Sequence, residues 1–256
     1  PDPMTQLRNP GMVLGEDNEK MSKSRGNVVA PDDLVSRVGA DTVRAYLMFF
    51  ARWDMGAPWS YSGIDGTTRW LRRVWALATD TVNEPAPRRM ASSEVLRNLR
   101  RKLHQSLRRI THDFQNFEFN TIVSSLMELA NELYKARENG AMDTPEWKEA
   151  LDIYLRMMAP VTPHIAEELW ARLGKPYSIH TRNWPEVDEA AAAEDEVTLV
   201  VQVNGKVRDR ITVPVDISDV QAKEAALRSE AVIKFMEGKP ARKVIVVPGK
   251  LVNIVV

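Results

Sequence analysis

Cysteine is missing from all 256 residues of the chain. Its absence excludes disulfide bonds, thiol catalysis and cysteine-ligated zinc sites, and it is typical of a cytosolic protein. Long apolar runs are missing as well, and none approaches the roughly 20 residues that a membrane-spanning helix requires. We therefore expect a cytoplasmic protein with no membrane segment and no metal site of its own.

Net charge is missing too, because 35 Lys and Arg balance 35 Asp and Glu. The charges are unevenly distributed, however. Residues 69–120 carry eleven basic against five acidic side chains, residues 140–196 carry five against twelve, and residues 197–256 carry ten against six. Two basic blocks separated by an acidic one predict a polarised surface that a polyanion would feel at short range.

The chain starts at Pro1-Asp2-Pro3-Met4, which has neither the basic nor the apolar segment of a signal peptide. A loop rich in Pro and Gly leads from there directly into the first motif. We therefore expect this chain to be part of a longer protein. Its 256 residues favour two or three domains.

That motif, Lys20 to Ser24, packs two lysines and two serines into five residues between Gly15 and Gly26. Ammonium, hydroxyl and backbone N–H donors can converge on one anion from such a segment, as they do in phosphate-binding loops. A solvated surface loop would have the same composition. The five residues alone leave both interpretations open.

Helical periodicity dominates the chain from residue 31 to residue 174. Asp41 and Asn120 are the predicted N-caps of two helices. The predicted helices span about 31–38, 41–50, 62–81, 93–115, 120–140, 145–158 and 163–173. Residues 53–61 are predicted as a loop and residues 83–89 as a Pro-containing connector. Short connections between the later helices indicate an antiparallel helix bundle.

The hydrophobic period changes after residues 189–196, a small and acidic segment that we interpret as a linker. Asn204-Gly205 and Pro248-Gly249 each lie between two apolar runs and predict two hairpins. The predicted strands span 198–203, 206–213, 244–247 and 251–256, with one helix from 218 to about 236. One face of the second strand is predicted to carry Val207, Asp209, Ile211 and Val213. Together these elements form a ββαββ domain.

The residues around the Lys/Ser motif make it specific. Lys20 to Ser24 resembles the KMSKS signature of class I aminoacyl-tRNA synthetases, with Gly11-Met12-Val13 before it and residues 39–44 (GADTVR) after it. Residues 162–170 (TPHIAEELW) resemble the anticodon-domain helix of the leucyl, isoleucyl and valyl branch.

The tail narrows the resemblance further. Residues 201–208 and 247–251 are similar to the C-terminal domain of bacterial leucyl-tRNA synthetases. Valyl enzymes end in a coiled coil and isoleucyl enzymes often end in a Cys-rich zinc module, and the sequence shows neither. An equivalent portion of a valyl or isoleucyl enzyme stays an alternative.

The resemblance covers nearly the whole chain and implies a mostly α protein with a small α+β C-terminal domain. Residues 1–61 would be the end of the catalytic domain, 62–188 an anticodon-binding-type helix bundle, 189–196 the linker and 197–256 the ββαββ tRNA-binding domain.

The family chemistry, as the resemblance implies it, is the ATP- and Mg²⁺-dependent activation of leucine and its transfer to tRNA-Leu. Negative charge grows on the departing pyrophosphate, and donors near it stabilise the transition state. Lys23 would be the main ammonium group and Lys20 would assist. The implied ATP-binding residues are Lys20, Met21, Ser22, Lys23 and Ser24.

The other family signature, the HIGH motif, does not occur, because none of the four histidines lies in that context. We therefore expect the isolated chain to be inactive without an N-terminal catalytic and editing half, and the full enzyme to be a monomer. A non-catalytic RNA-binding module or subunit is the alternative from a different class.

Basic side chains on two parts of the chain are candidate contacts to tRNA phosphates, although an Arg-rich helix face is often simply solvated. The helical candidates are Arg69, Arg72, Arg73, Arg100, Arg101, Arg108 and Arg109. The tail candidates are Asn204, Gly205, Lys206, Arg208, Arg210, Lys239, Arg242, Lys243 and Lys250.

Other conspicuous residues have structural interpretations. We expect His164 to pack or cap its helix, and Trp70 and Trp147 to lie in the core. Glu167 and Glu168 are adjacent, so they point apart on a helix and predict separate salt bridges rather than an acid pair.

Overall fold

The computed structural model describes residues 7–83, 90–193, 196–215, 217–236 and 240–256. It divides into two compact units, Pro1–Ala192 and Ala193–Val256. Three predicted features lie outside the described residues: the chain start, most of the connector at 83–89, and the candidate contact Lys239. No helix within the described ranges is long and apolar enough to cross a membrane.

The first unit is mostly helical, as predicted. Its helices are α1 (Pro31–Val38), α2 (Ala40–Phe49), α3 (Tyr61–Asn83), α4 (Ser93–Asn116), α5 (Phe119–Glu138), α6 (Pro145–Met158), α7 (Pro163–Arg172) and α8 (Glu189–Ala192). Strands β1 (Val13–Leu14) and β2 (Ala57–Pro58) pair in parallel. The loop predicted from 53 to 61 therefore contains a short strand.

Helices α3 to α7 surround one apolar core. Trp70 and Trp147 are buried in it, which confirms their predicted place. The Trp70 indole N–H donates to the Tyr154 hydroxyl at 2.9 Å, and that hydroxyl donates to the Leu126 carbonyl at 3.0 Å. Burial raises the pKa of Tyr154, so the phenol stays neutral and the polar chain inside the bundle is satisfied.

Both predicted N-caps are wrong. Asn120 is the second residue of α5, whose N-cap position is held by Glu118, and the Thr121 hydroxyl in the first turn donates to the Asp113 carboxylate of α4 at 2.7 Å. Gly39 occupies the N-cap position of α2, and Asp41 lies in the first turn with its carboxylate turned to a different helix. Sequence spacing identified two capping-type residues but not the groups they bind.

A second, smaller core lies beneath the Lys/Ser loop. Leu34, Val43, Tyr46, Trp59 and Ile64 are buried there, and Met21 and Val13 pack against them. The aromatic rings of Tyr46 and Trp59 meet edge to face, with centroids 4.9 Å apart. The loop is therefore seated on a rigid apolar base.

The predicted linker differs from the structure in its first half, where α8 packs on α4. Glu189 forms an ion pair with Arg108, and the Gln105 amide donates to the Ala192 carbonyl at 3.1 Å. An acidic segment without an apolar face becomes ordered here because α4 presents a complementary basic face.

The second unit consists of β3 (Glu196–Val203), β4 (Lys206–Pro214), α9 (Asp219–Arg228), α10 (Glu230–Met236), β5 (Lys243–Val247) and β6 (Leu251–Val255). The sheet order is β4-β3-β6-β5, with β3 and β6 parallel. Asn204 and Gly205 have φ of 51° and 76°, which confirms the predicted hairpin turn. Val201, Val252 and Val232 are fully buried between the sheet and the two helices.

A β-bulge alters the predicted alternation in β4. Val201 pairs with Asp209 but Gln202 pairs with Val207, so Arg208 is the extra residue. Val207 is consequently exposed rather than on the buried face with Val213.

The tail helix, predicted as one, breaks at Ser229. The Ser229 hydroxyl donates to the Asp209 carboxylate and accepts from the Val232 N–H at 3.3 Å, so it caps α10. The hydrogen bond from the Ser229 hydroxyl, with a second from the Arg210 N–H, lowers the pKa of Asp209. The break is fixed by a strand residue twenty positions away, which local periodicity does not reveal.

Candidate functional site

The Lys/Ser loop returns to β1 and then tightens into one turn of 3₁₀ helix. Lys20 bridges to Leu14, and the Gly15 N–H donates to the Glu19 carbonyl at 2.8 Å. The turn runs from Lys23 to Arg25 and ends at Gly26, whose φ of 69° favours glycine. The loop is therefore a defined structure rather than a loose connection.

Asn27 holds this conformation. Its Oδ1 accepts from the Ser22 N–H at 2.8 Å, and its Nδ2 donates to both carboxylate oxygens of Asp17 at 3.0 and 3.2 Å. Gly15 makes room, because a Cβ there would lie 2.6 Å from Asp17 Oδ1 and 2.9 Å from Asn27 Nδ2. Sequence reasoning missed Asn27 and Asp17, although Asn and Asp side chains that bond nearby backbone are a known turn signal.

The two lysines of the loop present unneutralised charge. Both are exposed, and neither ammonium group forms an ion pair with any described residue. Arg25, in contrast, pairs with Glu19 at 3.0 Å. The Ser22 and Ser24 hydroxyls lie 2.8 Å apart beside the lysines. Two lysine ammonium groups and two serine hydroxyls in one five-residue loop are suited to the oxygens of a polyphosphate.

The remaining predicted ATP-binding residue, Met21, has a different position. Its side chain packs against the small core under the loop. It anchors the loop through apolar contact, and its thioether has no donor that would bind phosphate.

Within the described part of the chain, no group of three His, Asp or Glu side chains is arranged to hold a metal ion.

Replacing Asn27 by aspartate tests the lock on the loop. The Asn27→Asp side chain keeps the acceptor for Ser22 N–H but places a carboxylate against that of Asp17, so we expect the loop to open. Any reaction that the loop serves should slow about tenfold or more, because a misplacement of about 1 Å between reacting groups is enough for such a loss. Limited proteolysis should cut first near residues 17–27. Asn27→Asp with wild-type rate and cleavage pattern would contradict this role, and Asn18→Asp, outside the Asn27 hydrogen bonds, is the matched control.

The basic residues of α4 are not all available to a partner. Arg100 binds Glu149 through two hydrogen bonds, at 2.7 and 3.2 Å, and Asp188 at 3.0 Å. His104 is buried next to them; its Nδ1 accepts from the Asp188 N–H at 3.2 Å, so its Nε2 carries the proton toward Glu149. Burial alone would raise the pKa of Glu149, but the hydrogen bonds from Arg100 and His104 outweigh it and lower that pKa.

The other helical candidates differ in their exposure and in the groups they contact. Arg69 and Arg72 are exposed on α3, while Arg73 donates to Asn131 at 2.8 Å and lies over the Tyr134 ring. Arg101 binds Asn98 at 2.9 Å, and Arg109 is held only loosely, 3.9 Å from Asp113 and from Glu128. The seven predicted arginines therefore differ in how far their guanidinium groups are already engaged by other side chains.

In the second unit, some predicted contacts are structural. The Asn204 carboxamide accepts from the Val256 N–H at 3.2 Å and so ties the hairpin to the neighbouring strand. The bulge turns Arg208 over the Phe235 ring at 3.8 Å, and its buried Nε has no hydrogen-bond partner within the described ranges.

The remaining tail cations are exposed: Lys206, Arg210, Arg242, Lys243 and Lys250. Strand register places Lys206 and Lys243 at the same end of the sheet on opposite edges. Lys250 lies at the other end of β5 and β6. The exposed cations therefore surround the sheet rather than form one cluster.

Glu167 and Glu168 make the separate contacts expected of them, whereas His164, which is 76% exposed, neither packs in the core nor caps its helix. His164 Nδ1 lies 2.8 Å from Asp41 Oδ1. Glu167 accepts from the Ser178 hydroxyl and the Ile179 N–H, whereas Glu168 pairs with Arg172 at 2.8 Å. The two glutamates thus serve separate contacts.

Comparison with known proteins connects these features. The family model described as "Anticodon-binding domain of tRNA ligase" matches residues 97–224, which is half of the chain, and that of "tRNA synthetases class I (I, L, M and V)" matches residues 1–56. The chain is 51% identical over 255 residues to a leucine–tRNA ligase of Dehalococcoides mccartyi, covering 100% of the chain and 31% of that protein.

Two further relatives agree. A leucine–tRNA ligase of Deinococcus radiodurans is 51% identical over 254 residues, which cover 99% of this chain and 30% of that protein. The crystal structure of Agrobacterium radiobacter K84 LeuRS in a ternary complex with tRNA and LeuAMS superposes with a TM-score of 0.83 at 29% identity, covering 99% of this chain and 33% of that one. The chain thus spans about a third of the length of the relatives it matches.

Proposed function

Because the chain belongs to the anticodon-binding domain family of tRNA ligases, we propose that it is the C-terminal part of a leucine–tRNA ligase. The reaction of the whole protein is the ATP-dependent activation of leucine and its transfer to tRNA-Leu. One observation carries the proposal: a loop whose two ammonium groups have no ion-pair partner among the described residues, on a chain 51% identical along its length to leucine–tRNA ligases. These relatives disfavour a separate RNA-binding module.

The loop contributes to the first step through charge. A leucine carboxylate oxygen attacks the α-phosphorus of ATP, the bond to the bridging oxygen breaks, and pyrophosphate leaves with that electron pair. The Lys23 and Lys20 ammonium groups and the Ser22 and Ser24 hydroxyls would donate to the departing oxygens. Asn27 and the apolar base fix the backbone that carries these donors, so this backbone needs little reorganisation as charge develops.

The structure of the loop region supports the proposal that the site is completed by the rest of the longer protein. A two-residue parallel pair such as β1–β2 is not stable alone, and parallel strands occur almost only within larger covered sheets. Large apolar side chains are also exposed near it: Met12, Leu47, Met55 and Tyr61. We propose that the N-terminal catalytic portion extends this sheet and covers these side chains.

The proposed tRNA contacts follow from which cations remain exposed. We assign phosphate contact to Arg69, Arg72 and Arg109 in the first unit and to Lys206, Arg210, Arg242, Lys243 and Lys250 in the second. Arg100, Arg108, Asn204 and Arg208 are left out, because their polar groups are engaged within the protein or buried.

Reconstitution tests the proposal. The isolated chain should give no leucine-dependent exchange of pyrophosphate into ATP, since it holds donors for the leaving group but no other part of the site. Adding the separately expressed N-terminal two-thirds of the same ligase should restore exchange, and a Lys23→Ala chain should not. Exchange by this chain alone would contradict the proposal.

A further inference from the structure

Two stretches that lie more than 120 residues apart in the sequence meet at one buried carboxylate. Asp41 Oδ1 accepts from His164 Nδ1 at 2.8 Å, and Asp41 Oδ2 accepts from the Ile165 N–H at 2.6 Å. Asp41 is 8% exposed and belongs to α2, whereas His164 and Ile165 form the first turn of α7. Asp41 therefore caps a helix other than its own.

The helix α7 depends on this external cap. Its N-cap residue, Thr162, directs its hydroxyl backward to the Met158 carbonyl at 3.3 Å and makes no capping bond. The free N–H groups of a helix start favour a negative charge, which Asp41 supplies. Threonine is itself a favoured N-cap residue, so the carboxylate on α2 takes a place that Thr162 does not fill.

A second contact from α2 reaches the preceding helix end. The Arg44 guanidinium donates to the Pro160 carbonyl at 3.1 Å and lies 3.4 Å from the Val161 carbonyl. These carbonyls follow the C-terminus of α6, where a positive charge is favourable. One turn of α2 thus holds both sides of the α6–α7 corner with complementary charges.

Other side chains of α2 pack in the small core beneath the Lys/Ser loop. Val43 and Tyr46 belong to the small core on which Met21 packs, whereas Ala45 belongs to the core of the helix bundle. A single ten-residue helix therefore contributes to both cores. Any rotation of the bundle corner about α2 would carry the loop with it.

We propose that Asp41 and Arg44, with residues 160–165, form a joint that fixes the orientation of the Lys/Ser loop relative to the helix bundle. The role of this joint depends on the proposed function. The joint would keep an RNA bound by the helix bundle aligned with the adenylate that forms at the Lys/Ser loop. Asp41 and Arg44 are positioning residues, because they touch neither reactant.

The test uses the full-length ligase and separates three quantities. In Asp41→Ala, leucine-dependent pyrophosphate exchange without tRNA and the affinity for tRNA-Leu should both stay within about twofold. The kcat of tRNA charging should fall about tenfold or more, because misplacement of about 1 Å between reacting groups is enough for such a loss. Asp65→Ala, an exposed acidic residue of α3, is the matched control and should change none of the three.

The geometry also predicts an order among variants. Asp41→Asn keeps a carbonyl acceptor for the Ile165 N–H and should restore most of the charging rate. His164→Ala removes one of the two bonds to Asp41, from a side chain that is 76% exposed, so its loss should lie between those of Asp41→Asn and Asp41→Ala.

Three outcomes would overturn the joint. The first two are an unchanged charging rate in Asp41→Ala, or an equal fall in pyrophosphate exchange and charging in that variant. The third is a loss of exchange, tRNA affinity and charging together in Asp41→Asn. Wild-type ligase without any exchange would instead refute the proposed function. In that case, wild-type-like protection of the Ile165 amide against hydrogen exchange in Asp41→Ala would also refute the joint.

Discussion

Adenylate formation by the full-length ligase should slow about 100-fold or more when Lys23 is replaced by alanine, while tRNA affinity stays near normal. The Lys23 ammonium group is exposed and unpaired among the described residues, and it lies next to the hydroxyl pair of Ser22 and Ser24. Loss of one donor aimed at charge that develops in the transition state typically costs 10²–10³ in rate. Pre-steady-state pyrophosphate release measures the effect directly.

Arg25→Ala is the control for this prediction. It removes a cation from the same 3₁₀ turn, but one already neutralised by Glu19, so adenylate formation should change less than about threefold. The rate of adenylate formation in Lys20→Ala should lie between the rates in Lys23→Ala and Arg25→Ala. If Lys23→Ala weakened tRNA binding as much as adenylate formation, the loop would not be the pyrophosphate site.

The second large effect is expected from deletion of residues 197–256 in the same enzyme. Charging of tRNA-Leu at low tRNA concentration should fall about 10- to 100-fold, with adenylate formation unchanged. The second unit has its own apolar core, so its removal should leave the first unit folded. Its exposed cations would be lost together, and each phosphate contact contributes to a salt-dependent affinity.

A subtler variant separates charge from fold. Lys206→Ala, Arg242→Ala and Lys243→Ala combined should reduce the salt dependence of tRNA affinity without unfolding the unit, because all three side chains are exposed. The internal control is Asp219→Ala, an exposed acidic residue of α9. Unchanged charging after the deletion would remove the case for tRNA contact by this unit.

Local signals predicted much of this fold. Thr144 before Pro145, and Thr162 before Pro163, mark helix starts within a residue of those observed. Asn204-Gly205 marks the hairpin for the same reason: the backbone conformation is decided by the residues that adopt it.

Features decided across the chain could not be predicted in this way. Asp41 was interpreted as a cap of its own helix, because nothing local indicates that α7 needs its carboxylate. The break at Ser229 and the ordering of Glu189 likewise depend on distant partners, Asp209 and Arg108. The lysines make the Lys/Ser loop recognisable in the sequence, whereas Asn27, which shapes it, carries only the general turn signal of an Asn side chain.

The parallel pairing of β3 with β6 has a consequence for folding during synthesis. The hairpins β3–β4 and β5–β6 join residues close in sequence, so each can form early, but Val201 must wait for Val252 before the two hairpins become one sheet. Until β6 leaves the ribosome, β3 carries an unpaired edge of Val and Leu residues, which is a site for mispairing with another nascent chain. Helix formation by α9 and α10 in the interval would cover one face of β3 but leave that edge open.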